Sequence, residues 1–421
     1  MRLFRALQAG MISVLLAWAA VAQATELTFR FNDPDAKQIR AALDVFEAQN
    51  PGIHVKLEQM GWPDALAQFL REAAVGSGPD VVHIAFVWTK ELASAGALLP
   101  LDKYIAADGG SSDYIAMDLA TGKDGHAYAV PWTVDCWTMV YRTDLLKQAG
   151  VTEIPRTWQQ LRDASLKVHQ VTGKIGFGFP AGSAAANSIW FLANYYWWNH
   201  GKALVVNKPG GGFEPGLDQT DIAGAIRYFD DYLKRGDTPK SMLAISNWGD
   251  PAIIEAMASG EQAIGIMPPA NFKQIVAAWQ ARHPNGGEPP LVSAVVPTEL
   301  SASVTNVGGR SLGINADTKH PDEAWKLVQF LKSKQVFSDY YTSQMPARKS
   351  MLATMNFGPG MQGYAEQLQH ARSWGPYADG PIPINTMWNA TGRAFGAAFI
   401  GEQTVDQASA QLLAVISKGL N

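Results

Sequence analysis

The first hundred residues alternate between two hydrophobic periodicities. Residues 27–31 alternate apolar and polar side chains, which is typical of a half-buried strand. From residue 39 to residue 46 apolar side chains recur at helical spacing, and Asn50-Pro51-Gly52 marks the end of that helix. A strand over 53–58, a helix over 63–75, a buried strand over 81–85 and a helix over 88–94 repeat this order. The pattern predicts an α/β fold whose parallel sheet is flanked by helices.

Ligands of such sheets bind beyond the carboxyl ends of the strands. In this chain the segments at those positions contain Asp33, Trp62 and Trp88. These three residues are therefore the first candidates for a binding site.

The alternation starts again after residue 131. Strands over 136–141 and 175–179 flank a helix over 157–170, and further helices are predicted over 184–198, 219–234 and 252–259. Strands follow over 262–267, 291–296 and 311–315, and the chain from Pro321 onward is mostly helical. With 421 residues the chain is long enough for two such units, each with its own core.

Composition narrows the class of protein. There are 34 Lys and Arg against 38 Asp and Glu, which gives a net charge of -4 and no basic surplus for a nucleic-acid partner. A composition that is 47% hydrophobic and 17% charged excludes wholesale disorder. The 14 tryptophans are informative because each needs a packing partner or a ligand.

The N-terminus has the pattern of an export signal. Arg2 and Arg5 precede an apolar stretch over residues 11–22, and Ala22-Gln23-Ala24 has the small-x-small form of a cleavage site. We expect residues 1–24 to be a signal peptide that is cleaved after Ala24, which would make the mature protein periplasmic. The alternative is an uncleaved membrane anchor. No later run of residues reaches membrane-spanning length.

Cys136 is the only cysteine, so no disulfide can form within the chain. A reactive thiol and a buried apolar side chain are the two alternatives. Its neighbours Asp135 and Trp137 would not lower the pKa of the thiol, which favours the buried side chain.

Eight short stretches carry a resemblance when they are taken in order. They are VFEAQNPGIHV at 45–55, GPDVV at 78–82, LASAGALLPLD at 92–102, AYAVP at 127–131, YRTDLL at 141–146, PRTW at 155–158, GGRSLG at 308–313 and DEAWKLVQFL at 322–331. In their order and spacing they resemble the extracellular solute-binding proteins of ATP-driven sugar importers, with a pattern related to maltose- and trehalose-binding proteins. The resemblance covers nearly the whole mature chain.

The resemblance implies an α/β, two-lobed periplasmic-binding-protein fold of type II. Each lobe would be a mostly parallel sheet flanked by helices, with the ligand cleft between the lobes. We expect lobe I to contain 25–133 and 301–344 and lobe II to contain 134–300 and 345–421, with hinge crossings near 131–135, 298–305 and 345. Closure around the ligand would be a hinge motion. The implied partners are a carbohydrate and the permease subunits of an inner-membrane ABC importer. The protein would be a monomer without a metal or other cofactor.

Motifs that suggest enzymes are present in unfavourable contexts. The G-x-S-x-G pattern at 309–313 requires its Ser311 at a sharp turn from a strand into a helix, yet here the strand is predicted to begin at Ser311. The eight histidines show no metal-binding spacing. A pair of glycosidase carboxylates stays open, since nothing in the sequence marks one.

The candidate binding residues are aromatic and polar. A sugar needs flat aromatic walls and a few fixed hydrogen-bonding groups. Five tryptophans in loop-like settings could form such walls or pack in the core: Trp62, Trp88, Trp132, Trp248 and Trp374.

For the polar part of the site we expect Asp33, Asp135, Asn271 and Arg310. The resemblance implies that Asp135 is a sugar-contacting carboxylate and that the backbone of Gly308 and Gly309 approaches the ligand. Arg348 is either a further contact or part of a surface or interlobe salt bridge. The chain departs from many sugar-binding proteins at Ala85, where those proteins carry an acidic residue.

The sequence thus predicts a periplasmic protein that binds a di- or oligosaccharide for an importer. One alternative with the same fold binds a phosphorylated polyol such as glycerol-3-phosphate, with Arg310 and Arg348 as anion-binding residues. A second alternative is a secreted hydrolase that acts through Ser311 or a carboxylate pair.

Overall fold

The computed structural model describes residues 24–33, 35–342 and 344–420. The predicted signal peptide, residues 1–24, lies outside the described residues except for Ala24, which is exposed. None of the helices in the described ranges is long and apolar enough to cross a membrane.

Twelve strands form three sheets within the described residues. In chain order the strands are β1 (Thr25–Phe31), β2 (Ile53–Gln59), β3 (Val81–Ala85), β4 (Ala129–Asp135), β5 (Thr138–Arg142), β6 (Ile175–Phe177), β7 (Val205–Asn207), β8 (Phe213–Pro215), β9 (Gln262–Met267), β10 (Leu291–Ala294), β11 (Gly308–Ile314) and β12 (Met345–Pro346).

Seventeen α-helices accompany these strands in the described ranges. They are α1 (Ala36–Gln49), α2 (Trp62–Ala73), α3 (Thr89–Ser94), α4 (Asp102–Ala107), α5 (Thr143–Gln148), α6 (Trp158–Thr172), α7 (Ala186–Trp198), α8 (Gln219–Arg235), α9 (Pro251–Ser259), α10 (Pro269–Arg282), α11 (Pro321–Leu331), α12 (Lys334–Asp339), α13 (Lys349–Leu352), α14 (Gln362–Leu368), α15 (Pro376–Asp379), α16 (Ile384–Phe399) and α17 (Val405–Leu420). Three short 3₁₀ helices add Phe86–Trp88, Met117–Ala120 and Lys240–Ala244.

Local chemistry explains where the longer helices begin and end. Before α6, Thr157 accepts a hydrogen bond from the Gln160 N–H and the Gln160 side chain accepts one from the Thr157 N–H. This reciprocal cap satisfies two N–H groups that would otherwise lack partners. The helix ends at Gly173, whose φ of 72° is costly for any residue with a Cβ.

The sheets define two lobes. The first lobe is built on a six-stranded sheet with the order β12-β4-β11-β3-β1-β2, and the second lobe on a four-stranded sheet with the order β10-β5-β9-β6. The small third sheet pairs β7 with β8. Each of the two larger sheets has a buried apolar core, represented by Leu43 and Val328 in the first lobe and by Ile226 and Ile264 in the second.

The predicted two-lobed α/β class is confirmed, but both large sheets are mixed rather than mostly parallel. In the first sheet β1 runs parallel to β2 and β3, but β11 is antiparallel to β3 and β4, and β12 is antiparallel to β4. In the second sheet only β6 and β9 are parallel. The reason is the path of the chain. Strands β3 and β4 end at the junction of the lobes, whereas β11 begins there, because the chain re-enters the first lobe at that point.

The chain passes between the lobes three times within the described residues. The first passage follows Asp135 and reaches β5 through Cys136 and Trp137. The return passage was predicted near 298–305, but Val304 and Val307 are still bound to the second lobe, by the Asn199 side chain and by Trp374 Nε1. We therefore expect the return at Gly308.

The third passage was predicted near 345. Met345 and Pro346 pair with β4 of the first sheet, while Met345 and Ala347 are also buried in the cluster that contains the second-lobe core. Met351 packs in the core of the first lobe, and Met361 packs in that of the second. We therefore expect the passage between Met345 and Met361.

Candidate functional site at the junction of the lobes

The edge of the first sheet that faces the second lobe brings charged residues together. Asp33 follows β1, Asp135 ends β4 and Arg310 lies near the start of β11. Because β11 is antiparallel to both neighbours, Arg310 pairs in register with Ala85 at the end of β3 and with Thr133 of β4. The ends of β1, β3 and β4 and the start of β11 therefore lie at this edge, and they bring Asp33, Asp135 and Arg310 together there.

Arg310 lies between two carboxylates. Its Nε is 3.4 Å from Asp33 Oδ2, and its Nη1 donates a hydrogen bond to Asp135 Oδ2. Asp33 is also held by two neutral donors, since Trp62 Nε1 donates to Oδ1 at 2.8 Å and the Tyr341 hydroxyl donates to Oδ2 at 2.7 Å. We call these five residues the charged cluster.

His83 supports the charged cluster from the core. Its Nδ1 accepts a hydrogen bond from the Asn32 N–H at 3.2 Å, so its proton is on Nε2, which lies 4.0 Å from Asp33 Oδ2. The ring stacks on Phe31 at 4.9 Å between centroids and meets the edge of Trp62 at 5.2 Å. Burial lowers the pKa of His83 to about 3, although Asp33 opposes the shift, so the ring is neutral.

The two carboxylates of the cluster differ in their electrostatics. Burial raises the pKa of Asp33, but the charge of Arg310 and the donors Tyr341 and Trp62 outweigh burial and bring the pKa to about 2. Burial also raises the pKa of Asp135, and Arg310 offsets this only in part. Burial disfavours the charged Arg310, yet both carboxylates together raise its pKa. Asp33 is therefore the firmly ionised member of the pair.

Aromatic side chains of the first lobe border the charged groups of the cluster. Trp62 and Trp88 are half-buried, and their rings meet edge to face at 5.1 Å. The Arg310 guanidinium lies 5.6 Å from the centroid of the Trp62 ring. Trp62 and Trp88 thus present ring surface next to the charges.

A second group of aromatic side chains lies on the second lobe and begins with Trp137, two residues after Asp135. Trp137 and Phe191 are half-buried and stack at 4.7 Å between centroids. Trp248 meets the edge of Trp137 at 5.9 Å and is itself 2% exposed. Among the described residues Trp248 Nε1 has no hydrogen-bond partner.

Three of the five candidate tryptophans are packed in the protein rather than presented at its surface: Trp132, Trp248 and Trp374. Trp132 is 1% exposed, and its Nε1 donates to Leu331 O at 2.8 Å within the core of the first lobe. Trp374 stacks on Trp190 at 5.6 Å, and its Nε1 donates to Val307 O. Of the two alternatives for Trp132, a wall or a core residue, these contacts favour the core residue.

Two predicted polar residues lie apart from the charged cluster in their contacts. Arg348 Nε donates to Asp113 Oδ2 at 2.9 Å, so it forms an ion pair within the first lobe. Of its two predicted alternatives this contact is nearer to the salt bridge than to the ligand contact. Asn271 lies in the first turn of α10 and donates to the Gln274 side chain at 3.1 Å.

The glycine pair is required by the protein itself. A Cβ on Gly308 would lie 2.0 Å from Asp135 Oδ1, and a Cβ on Gly309 would lie 2.2 Å from Thr133 O. Gly309 also has a φ of 146°. These two glycines allow β11 to approach β4 closely enough for Arg310 to reach Asp135.

Ser311 and Cys136 have no catalytic setting. Ser311 is fully buried in the middle of β11, and its hydroxyl has no partner among the described residues. No turn into a helix follows it, so the strand–turn–helix geometry of a hydrolase nucleophile is not formed. Cys136 is also fully buried, and burial raises the pKa of its thiol.

Sequence reasoning missed four residues of the site: His83, Trp137, Phe191 and Tyr341. Of these four residues Trp137 could have been found from the sequence, because it closely follows the predicted crossing at 131–135. Tyr341 gave no such signal in the sequence, since it is 308 positions from Asp33.

A cavity of about 640 Å³ lies elsewhere, between α8 and the loop that joins α16 to α17, and none of its lining residues belongs to the charged cluster.

Two α/β lobes with charged and aromatic side chains at their junction define the class of two-lobed binding proteins. The comparison with known families agrees. Residues 32–336 match the model of the bacterial extracellular solute-binding proteins, and the chain belongs to that family.

Individual relatives are distant but extensive. A binding protein of Brucella abortus (strain 2308) is 24% identical over 391 residues, which cover 86% of this chain and 91% of that protein. The GacH receptor of Streptomyces glaucescens, whose structures include an acarbose complex, has a TM-score of 0.77 at 24% identity and covers 94% of this chain and 98% of its own. A solute-binding protein of Thermotoga lettingae bound with α-D-tagatose has a TM-score of 0.78 at 21% identity and covers 94% and 100%. The structural likeness establishes the shared two-lobed fold.

Proposed function

We propose that this chain is the exported binding component of an ABC importer and that it captures a di- or oligosaccharide between its lobes. The observation that carries the proposal is the pairing of half-buried aromatic rings on both lobes with the charged cluster at their junction. Sugar rings have apolar C–H faces that pack on aromatic rings, and their hydroxyls need fixed donors and acceptors. The structurally similar proteins that bind acarbose and tagatose support a carbohydrate ligand, and acarbose supports an oligosaccharide.

The structure does not favour the phosphorylated polyol. An anionic ligand needs cations that are not already neutralised, but Arg310 is paired with Asp33 and Asp135, and Arg348 with Asp113. In the charged cluster the carboxylates outnumber the guanidinium. Burial of a phosphate next to them would be opposed by repulsion.

Calorimetric titration of the mature protein tests the proposal. The probes are maltotriose, acarbose and tagatose, with glycerol-3-phosphate as the anionic comparison. We expect maltotriose or acarbose to bind and glycerol-3-phosphate not to bind. Failure of all three sugars would overturn the proposal, whether or not glycerol-3-phosphate binds, and binding of tagatose alone would indicate a monosaccharide ligand instead.

Substitutions then test the site itself. Trp62→Ala and Trp137→Ala each remove one ring from opposite lobes, and each should weaken sugar binding about tenfold to a hundredfold. Trp325→Phe is the matched control, because Trp325 packs on Tyr104 at 5.2 Å in the first core. The assignment fails if Trp325→Phe weakens binding as much as the other two substitutions do.

A further inference from the structure

Two polar contacts bridge the lobes beside the candidate site. Lys90, on α3 of the first lobe, forms an ion pair with Asp379, at the end of α15 of the second lobe. Lys273, on α10 of the second lobe, donates a hydrogen bond to the backbone oxygen of Thr342 in the first lobe. We call these four residues the interlobe clasp.

Both contacts of the interlobe clasp lie next to residues of the candidate site. Lys90 is two residues beyond Trp88, which belongs to the aromatic surface of the first lobe. Thr342 directly follows Tyr341, which donates to Asp33 in the charged cluster. Both contacts of the clasp therefore lie within two residues of groups that would face a ligand.

Each contact joins groups of different lobes, so a hinge opening would separate both. The Lys90 and Asp379 side chains are 22% and 45% exposed, which leaves their attraction open to screening by salt. The Lys273 amine is more enclosed, and burial lowers its pKa to about 8.

We propose that the interlobe clasp holds the cleft closed in the absence of ligand and thereby sets how readily the cleft opens. The proposal takes the opening motion from the proposed function but needs no particular sugar. A clasp of this kind lowers the cost of closure for any ligand, because part of the closed population exists beforehand. It also makes opening sensitive to ionic strength.

Distance measurements between spin labels on the two lobes test the clasp without any sugar. Val75→Cys in the first lobe and Val171→Cys in the second supply the label sites, since these valines are 77% and 56% exposed. The native Cys136 is fully buried and escapes labelling. In this background Lys90→Met and Lys273→Met should each lower the ratio of closed to open molecules about two- to fivefold. Small-angle scattering should show a larger radius of gyration for the same variants.

Matched controls break the same types of contact inside one lobe. Asp406→Asn removes the ion pair with Arg227, and Lys167→Met removes a lysine contact to the Gly150 backbone oxygen. Both controls should keep the wild-type distance distribution. In the unsubstituted protein, 1 M salt should act like Lys90→Met.

The outcomes separate this proposal from the proposed function. Identical distance distributions in the wild type and in both clasp variants, at low and high salt, would overturn the clasp. A wild type that is already fully open would overturn it as well. Failure of every sugar in the calorimetric panel would refute the proposed function and leave the distance result standing.

Discussion

At the scale of single residues, Asp33 shows how a nearly buried carboxylate stays charged. It is 3% exposed, a position where burial alone favours the neutral acid. Arg310, Tyr341 and Trp62 surround it with one cation and two hydrogen-bond donors. Because these groups stabilise the ionised form, the folded protein binds the proton of Asp33 more weakly than the unfolded chain does.

The charge of Asp33 predicts a dependence of stability on pH. Its pKa is lowered from 3.8 to about 2, so its ionised form stabilises the fold above pH 4, and this contribution is lost as the pH falls through 2. We expect the difference in unfolding free energy between the wild type and Asp33→Asn to shrink by about 2 kcal/mol between pH 5 and pH 2. Urea unfolding at a series of pH values measures it. Asp44→Asn, at a 67% exposed side chain, is the control, and an unchanged difference for Asp33→Asn would contradict the argument.

Trp132 should behave as a core residue. Its ring is enclosed by Phe31, His83 and Tyr341, and truncation would leave a cavity. We expect Trp132→Ala to lower the free energy of unfolding by about 3–5 kcal/mol. Trp137→Ala, at a half-buried position, should cost clearly less in the same chemical denaturation experiment. Equal losses for the two variants would mean that Trp137 is also a core residue.

Residue placement was predictable where it followed the ends of strands. Asp33, Trp62 and Trp88 come directly after apolar strands, and the structure places all three beside Arg310 or in contact with its neighbours. For Trp132 the sequence left a wall and a core residue open, because a loop was expected where β4 runs. His83 and Tyr341 reach the site only through packing of the first lobe, which a local pattern does not encode.

At the scale of elements, the register of β11 against β4 determines the charged cluster. The pairing shifts between Arg310 and Ser311, opposite Thr133 and Pro131. A proline has no N–H for the ladder, and such irregularities accommodate it. The shift and the two glycines before Arg310 allow the guanidinium to lie next to Asp135.

Alanine at the two glycines should have different effects. Gly309→Ala meets the backbone oxygen of Thr133 and needs a φ of 146°, so we expect a loss of stability of about 1–3 kcal/mol. Gly308→Ala meets the carboxylate end of Asp135, which can rotate away, so it should weaken ligand binding more than stability. Thermal melts and calorimetric titration of both variants separate the two effects. Gly308→Ala with wild-type affinity would show that Asp135 does not contribute to binding.

Most helices and strands followed from periodicity and end signals. The strand at 81–85 was predicted at the observed bounds, and the helix predicted over 219–234 is observed as Gln219–Arg235. β4 was missed because Pro131 and the neighbouring glycine-rich turn are signals for a loop. The pair β7 and β8 was missed because each strand has only three residues.

At the scale of the whole molecule, the first strand begins directly after the predicted processing site. Thr25 is the first residue of β1, and its N–H donates to Gly52 O at 2.8 Å. Removal of residues 1–24 would therefore leave every pairing of β1 in place.

The direction of β11 in the first sheet could not be read from the sequence, because it depends on which lobe the chain comes from when it enters this strand.

Processing can be tested by mass spectrometry of the exported protein. We expect the mature chain to begin at Thr25, and Ala24→Asp should block cleavage because the site needs small residues at positions 22 and 24. Gln23→Asp lies between these positions and should be processed normally. A mature chain that begins elsewhere, or a precursor that persists in the unsubstituted protein, would contradict the predicted cleavage after Ala24.

The strand order of the first sheet has a consequence for the timing of folding. Both neighbours of β4, namely β11 and β12, are encoded after residue 307, so β4 has no sheet partner until most of the chain has been synthesised. Pairings between distant segments form late, because the intervening chain must first be ordered. The first lobe therefore cannot complete its sheet early. A chain that completes its first sheet this late stays unfolded for longer after synthesis, which would keep it competent for the export that we propose.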